Sequence, residues 1–162
     1  MNDDQQPDDV TERTTRLLDG FRGFGANYTE FTNRFAAWLD LHTTDAFALI
    51  EILVAEERGI ALTPTKLSTR LSLTTGATAN LLNRLEKLGH VVRTREHADR
   101  RVVTLHSSPK VAQRAKEFLD PFTKHVEALV AHYPPEHVEL FEKFLDDLRA
   151  TMYALLAERP PG

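Results

Sequence analysis

The chain has 162 residues, about one ordinary domain, and 41% of them are apolar, enough for a core without disulfides or metals. No apolar run approaches the roughly 18–20 residues that span a bilayer, and the acidic N-terminal stretch looks nothing like a secretion signal, so a cytoplasmic protein without membrane contact is expected. Cysteine is absent, which excludes a disulfide framework, a thiolate metal site and thiol redox chemistry.

The net charge of −4 is unevenly placed. Between Ile60 and Lys110, nine Lys/Arg stand against three acids, a local +6, while the remaining residues hold 11 bases and 21 acids. A basic middle between acidic flanks points to one segment that meets a polyanion.

In chain order, residues 1–12 are polar, acidic and interrupted by Pro7, and are expected to form a disordered tail. Residues 13–42 carry Phe21, Phe24, Tyr28, Phe31, Phe35, Trp38 and Leu41 at steps of three and four, one stripe of a helix. Gly20, Gly23 and Gly25 weaken its start. The next helix opens at Thr43-Thr44-Asp45 and stops at Gly59. Thr63-Pro64 is an N-cap followed by proline at the first helical position, and a short helix with Leu67 and Leu71 follows. A turn through Ser72-Leu73 leads to Thr74, a second cap, and to a helix ended by Gly89. Two short helices joined by a tight turn form the helix-turn-helix pattern.

The period then changes to that of strands. Residues 91–95 and 101–105 are β-rich runs joined by a five-residue polar tip, a hairpin. Ser108-Pro109 starts a further helix with an expected bend at Pro121, Pro134-Pro135 breaks the chain again, and 136–158 carries a broad apolar stripe of Leu140, Phe141, Phe144, Leu145, Leu148, Met152, Leu155 and Leu156. The expected fold is mainly α with a small β-hairpin wing: a winged helix-turn-helix at 43–108, flanked by terminal helices at 13–42 and 109–158, with a disordered tail at 159–162.

The phase of the second short helix predicts its chemistry. At 100° per residue, Ala77, Leu81, Leu85 and Leu88 fall in one sector and are expected to face the core, leaving Thr75, Gly76, Ala79, Asn80, Asn83 and Lys87 outside. That outer face is narrow, small and polar. Such a surface fits a major groove, where asparagine amides pair with adenine and threonine serves either base type. Thr74 and Thr75 sit at the helix N-terminus, which favours a phosphate. Around the hairpin, Arg93, Arg95, Arg100 and Arg101 suit a narrow minor groove, and Asp99 is placed to hold Arg101.

The run from 74 to 89, closing on Leu85-Glu86-Lys87-Leu88-Gly89 and followed by His97-Ala98-Asp99-Arg100-Arg101, strongly resembles the MarR family of transcription regulators. The resemblance spans the chain from Phe21 to Glu158. It implies a homodimer on a pseudo-palindromic operator in double-stranded DNA, with a repressor as the family-level expectation for the sign. It places residues 75–83 on the recognition helix, Arg95, Asp99, Arg100 and Arg101 on the wing, and a dimer interface on Phe21, Phe24, Tyr28, Phe141, Phe144, Leu145, Leu148 and Met152. A small aromatic or anionic effector is also implied, with Phe31, Phe35, Trp38 and His42 as candidate lining. Two departures from the family pattern stand out: Leu105-His106-Ser107-Ser108-Pro109 after the second strand, and His90 where an aliphatic or aromatic residue is usual.

No catalytic motif is present: there is neither a Gly-x-Ser-x-Gly elbow nor a Walker loop, so no enzyme and no cofactor are expected. His125, His132 and His137 come nearest to a metal cluster but read as solvated. The alternative to a DNA-binding regulator is a winged helix used as a protein-interaction module.

Overall fold

In the computed structural model, which describes residues 6–95 and 102–158, six helices and one hairpin follow in the order α1 (Gln6–Leu39), α2 (Thr43–Glu57), α3 (Pro64–Leu71), α4 (Thr75–Lys87), β1 (Val91–Arg95), β2 (Val103–Ser107), α5 (Pro109–Val130) and α6 (Pro135–Ala157). The chain forms two compact units, residues 1–118 and 119–162, so the joints expected near 42 and 108 lie within the first unit.

Helix α1 corrects the expected N-terminal tail, because residues 6–12 are already helical. Two features of those residues account for this. Pro7 lies in the first turn, where the missing N–H would have had no intrahelical partner. Arg13 pairs with Asp9 at 2.6 Å and Arg16 with Glu12, each four residues apart, a spacing that supports an exposed helix. The helix also runs through Gly20, Gly23 and Gly25, where an added Cβ would meet nothing within 4 Å.

Three chain reversals follow the expected chemistry. Gly59 and Gly89 end α2 and α4 at φ of 64° and 70°, left-handed values that glycine adopts without a Cβ clash. Between α3 and α4 the same role falls to Ser72, at φ 53°. Thr63 accepts from the Lys66 N–H at 3.3 Å and Thr74 from the Ala77 N–H at 3.2 Å, so both predicted caps are made. At α2 the N-cap is His42, without a side-chain bond. The Thr43 hydroxyl there donates to Asn33 Oδ1, and Asp45 turns inward.

The core of the first unit is built from Phe35, Leu49, Ile52, Leu62, Leu67, Leu81, Leu82, Leu85, Leu105 and Val111, all without appreciable exposure. Strands β1 and β2 pair antiparallel, Val91 with Ser107 through Arg95 with Val103. The second strand therefore starts two residues later than expected and takes in His106 and Ser107. Leu105 N–H also donates to Leu62 O at 2.8 Å, fastening the hairpin to the segment before α3. Ser108 then caps α5, its Oγ accepting from the Val111 N–H at 3.3 Å, with Pro109 as the first helical residue.

In the second unit, α5 continues through Pro121, and α6 starts on Pro135 with Pro134 as its cap. None of this unit's described residues is fully buried. Leu140, Phe141, Met152, Leu155 and Leu156 are all exposed, Leu156 at 73%.

Candidate nucleic-acid interface

Helix α4 is positioned by the side it buries. Thr78, Leu81, Leu82 and Leu85 are buried, whereas Ala77 and Leu88 are exposed, Leu88 at 54%. The inward face is thus turned by about half a residue step from the one expected. Thr78 accounts for the shift. Its hydroxyl donates to Thr74 O at 3.0 Å, so its methyl can pack inward without leaving a polar atom unsatisfied. The outward residues survive this rotation: Thr75, Gly76, Ala79, Asn80, Asn83 and Lys87 are all exposed, together with the cap, Thr74.

The hairpin leans on α4 through Arg93. Its guanidinium donates to Asn83 Oδ1 at 2.9 Å and pairs with Glu86 at 3.2 Å, while its Nε is buried without a partner among the described residues. Arg93, expected on the DNA-facing wing, thus braces the hairpin against α4 through Nη2 while its side chain stays partly exposed. Arg95 is exposed at the outer end of β1. Asp99, Arg100 and Arg101 lie outside the described residues.

Two ion pairs and one carboxylate–serine contact that sequence reasoning missed hold this platform. Arg84 of α4 bonds Asp45 of α2 through two hydrogen bonds, Nε to Oδ2 at 3.0 Å and Nη2 to Oδ1 at 2.5 Å. Asp45 is buried, while the Arg84 side chain stays 48% exposed. The hydrogen bond that Arg84 donates to Asp45 raises its pKa above its ordinary value, against a smaller opposing effect of burial. Arg70 of α3 meets Glu51 of α2 at 2.8 Å. Glu56 accepts from Ser107 N–H at 3.0 Å and from Ser107 Oγ at 2.5 Å, with His106 Nδ1 at 3.3 Å. Partners 39, 19 and 51 residues apart leave no local signal.

These pairs also revise the charge argument. Arg70 and Arg84 are matched by Glu51 and Asp45, acids outside the basic segment, so part of the +6 is spent internally, whereas Arg93 meets Glu86, which that sum already includes. Lys87 and Arg95 keep no acidic partner among the described residues.

The other expected sites separate. Phe31, Phe35 and Trp38 converge on Phe118, with ring centroids 5.2, 5.4 and 6.3 Å away. Trp38 Nε1 donates to Arg114 O at 3.3 Å, and Arg114 donates back to Trp38 O at 2.7 Å. Phe35 is wholly buried, Phe31 and Phe118 are half-buried and Trp38 is 47% exposed, so the cluster runs from the core out to the surface. His42 stands apart from it, in a cleft of about 560 Å³ with Asp40, Asp45, Arg84 and Lys87. His90 is pressed against α5, and burial first, then Arg114 and Lys110, lowers its pKa below 6.5. Of the expected interface residues, Phe24 is exposed at 62% and stacks on Tyr28 at 5.9 Å. Tyr28 in turn sits 6.4 Å from Phe47, and burial and Glu51 raise its pKa. Phe21, Leu145 and Leu148 are half-buried, and Phe141, Phe144 and Met152 are exposed.

Two short capped helices at a tight turn, followed by an antiparallel hairpin braced against the second helix, define a winged helix-turn-helix protein. The sequence model of the MarR family matches residues 39–102. An uncharacterised HTH-type transcriptional regulator of Bacillus subtilis, YcgE, is 30% identical over 120 residues, covering 74% of this chain and 75% of that protein. Staphylococcus aureus MepR in its DNA-binding conformation superposes with a TM-score of 0.67 at 17% identity, covering 84% of this chain and 98% of MepR. The MepR–DNA complex gives a TM-score of 0.60, again at 17% identity, covering 82% and 93%. The chain belongs to the MarR family of HTH-type transcriptional regulators.

Proposed function

We propose that the chain works as a homodimer that lays α4 in the major groove and its wing along the adjacent minor groove of a pseudo-palindromic operator, repressing transcription until a small molecule releases it. The observation that carries the DNA reading is the outward face of α4. Gly76, Ala79, Asn80, Asn83 and Lys87 are all exposed there, without a bulky hydrophobe, on a helix whose inner face is anchored by three leucines and the Asp45–Arg84 pair. A rigid helix with a small polar face is what groove entry requires. The first-turn N–H groups of α4 supply a phosphate site, and Arg95, Arg100 and Arg101 a minor-groove contact.

The dimer is supported by apolar surface that the single chain leaves uncovered. Phe24 on α1 is exposed, and so, in the second unit, are Phe141, Phe144, Met152, Leu155 and Leu156 on α6; large apolar side chains left in water mark an association site. A second copy buries it at about 25 cal/mol per Å² of apolar area, which makes folding and association interdependent. Effector release is supported by the fold neighbour MepR, a transcription regulator of a multidrug efflux pump that has been solved bound to ethidium bromide. An effector would sit in the cleft at His42, beside Asp40, Asp45, Arg84 and Lys87.

The test is fluorescence anisotropy on a duplex from upstream of the chain's own gene against scrambled duplex, across a salt series, repeated with ethidium bromide. Selective binding that falls steeply with salt is the expected result. Absence of selectivity, both here and after selection from random duplexes, would leave the interaction-module reading in its place.

A further inference from the structure

We infer that Arg93 is a strut that fixes the angle of the wing on α4, so that the wing adds to DNA affinity only while Arg93 bridges Asn83 and Glu86. The inference rests on the DNA-binding reading above and goes beyond it in assigning a positioning residue and an energetic coupling between the two DNA-facing elements.

The hairpin is tied from two sides. On one side, Leu105 N–H donates to Leu62 O at 2.8 Å, and Glu56 of α2 accepts from Ser107 N–H at 3.0 Å and from its hydroxyl. Both ties act on β2, and β1 follows through the strand register. On the α4 side the chain reverses at Gly89, and Ser108 N–H donates to His90 O at 2.8 Å, which secures the root. Beyond the root, the one polar side-chain link from the hairpin to α4 among the described residues is Arg93. Its Nη2 donates to Asn83 Oδ1 at 2.9 Å and lies 3.2 Å from Glu86 Oε2. Asn83 and Glu86 are three residues apart and neighbours on the helix surface. One planar guanidinium is therefore held at two points along α4, which sets a direction as well as a distance. Its Nε is shielded from water, so the group is packed into place and not free to swing.

Arg95 lies two residues further along β1, on the same face of the strand as Arg93 and roughly 6–7 Å further out. It is exposed and keeps no acidic partner among the described residues. Any tilt of the hairpin away from α4 therefore carries Arg95 with it. A half-exposed ion pair contributes little to folding, so loss of the strut should hardly lower stability. Its effect on binding is larger, because a loose wing must be ordered when DNA arrives and a strutted one is ordered beforehand. Arg93 is a positioning residue: it acts on DNA through Arg95.

The experiment measures what Arg95→Ala costs in four backgrounds: wild type, Arg93→Ala, Glu86→Arg, and the exchange Glu86→Arg/Arg93→Glu. Anisotropy of the full-length protein is followed across a salt series on a duplex that wild type enriches from a random pool. In wild type, Arg95→Ala should weaken binding roughly threefold to tenfold and reduce the salt slope by about 1. In Arg93→Ala and in Glu86→Arg the same substitution should cost less than about twofold, because the wing has already lost its angle. In the exchange the full cost should return: Arg and Glu pair again with their places reversed, and the Asn83 amide turns to donate to the introduced carboxylate. Urea midpoints of all four backgrounds should stay close together.

A phosphate contact made by Arg93 itself would leave the Arg95 cost equal in every background, and so would a merely structural role, which would lower the urea midpoint instead. Equal costs therefore overturn the inference while sparing the regulator reading. An Arg95→Ala that costs nothing in wild type, or an exchange that fails to restore the cost, overturns it too. If Arg93→Ala fails to fold, Glu86→Arg and the exchange decide. No enrichment by wild type overturns both the inference and the regulator reading.

Discussion

Replacing Arg84 with alanine tests whether the recognition helix is held by charge as well as by its leucines. The substitution leaves Asp45 buried in the first turn of α2 with its two hydrogen bonds removed. Stripping the partner from a fully buried ion costs about 3–5 kcal/mol. Here half of the Arg84 side chain faces solvent, so water screens the pair and can partly replace the lost donors. The expected loss is then about 2–3 kcal/mol. The reverse substitution, Asp45→Ala, lets Arg84 swing into water and should cost less, about 1–2 kcal/mol. The double variant Asp45→Ala/Arg84→Ala should be more stable than Arg84→Ala alone, since no buried charge remains. Urea unfolding followed by the fluorescence of Trp38, the one tryptophan, reads all three at equal protomer concentration. An Arg84→Ala protein within about 0.5 kcal/mol of wild type, or strict additivity in the double variant, would refute the argument.

Gly89→Ala should destabilise by about 1–2 kcal/mol, because its φ of 70° is strained for a residue with a Cβ even though the space around it is open; a thermal midpoint equal to wild type would count against it. For His90 the sign follows from its lowered pKa. The folded state holds fewer protons than the unfolded one below pH 6.5, so stability is full above 6.5 and is lost as pH falls through the lowered folded value. His90→Gln should flatten that slope in urea titrations below pH 6.5 and leave stability above it little changed. Glu56→Ala removes the acceptor for Ser107 N–H and Oγ and should cost about 1–2 kcal/mol. Amide exchange at Ser107 should speed up while that at Leu81 and Leu85 holds, unless the strand is fastened by other means.

Much of this protein was legible in the residues because the relevant signals are local. Thr63-Pro64, Thr74, Gly59 and Gly89 mark helix ends through backbone chemistry that spans three or four residues, and each reappears in the fold. The change from helical to strand period at Val91 located the wing. The resemblance in the recognition helix and its following turn carried the family. The outward face of α4 was readable too, since small polar residues tolerate a modest error in phase.

What only the tertiary structure decided depends on partners brought together from far along the chain. Sequence could count Arg84, Arg93 and Arg70 as positive charge, but not that Asp45, Glu86 and Glu51 would neutralise them. The aromatic stripe of α1 announced burial without saying by what: Phe118, more than eighty residues after Phe31, meets Phe31, Phe35 and Trp38. The phase of α4 was set by Thr78, whose hydroxyl found Thr74 O and so could be buried, an outcome that side-chain polarity alone argues against. Local backbone chemistry therefore determined where elements begin and end. Burial and charge pairing, which are properties of the assembled neighbourhood, decided which face each element shows and which of its polar atoms remain free to meet DNA.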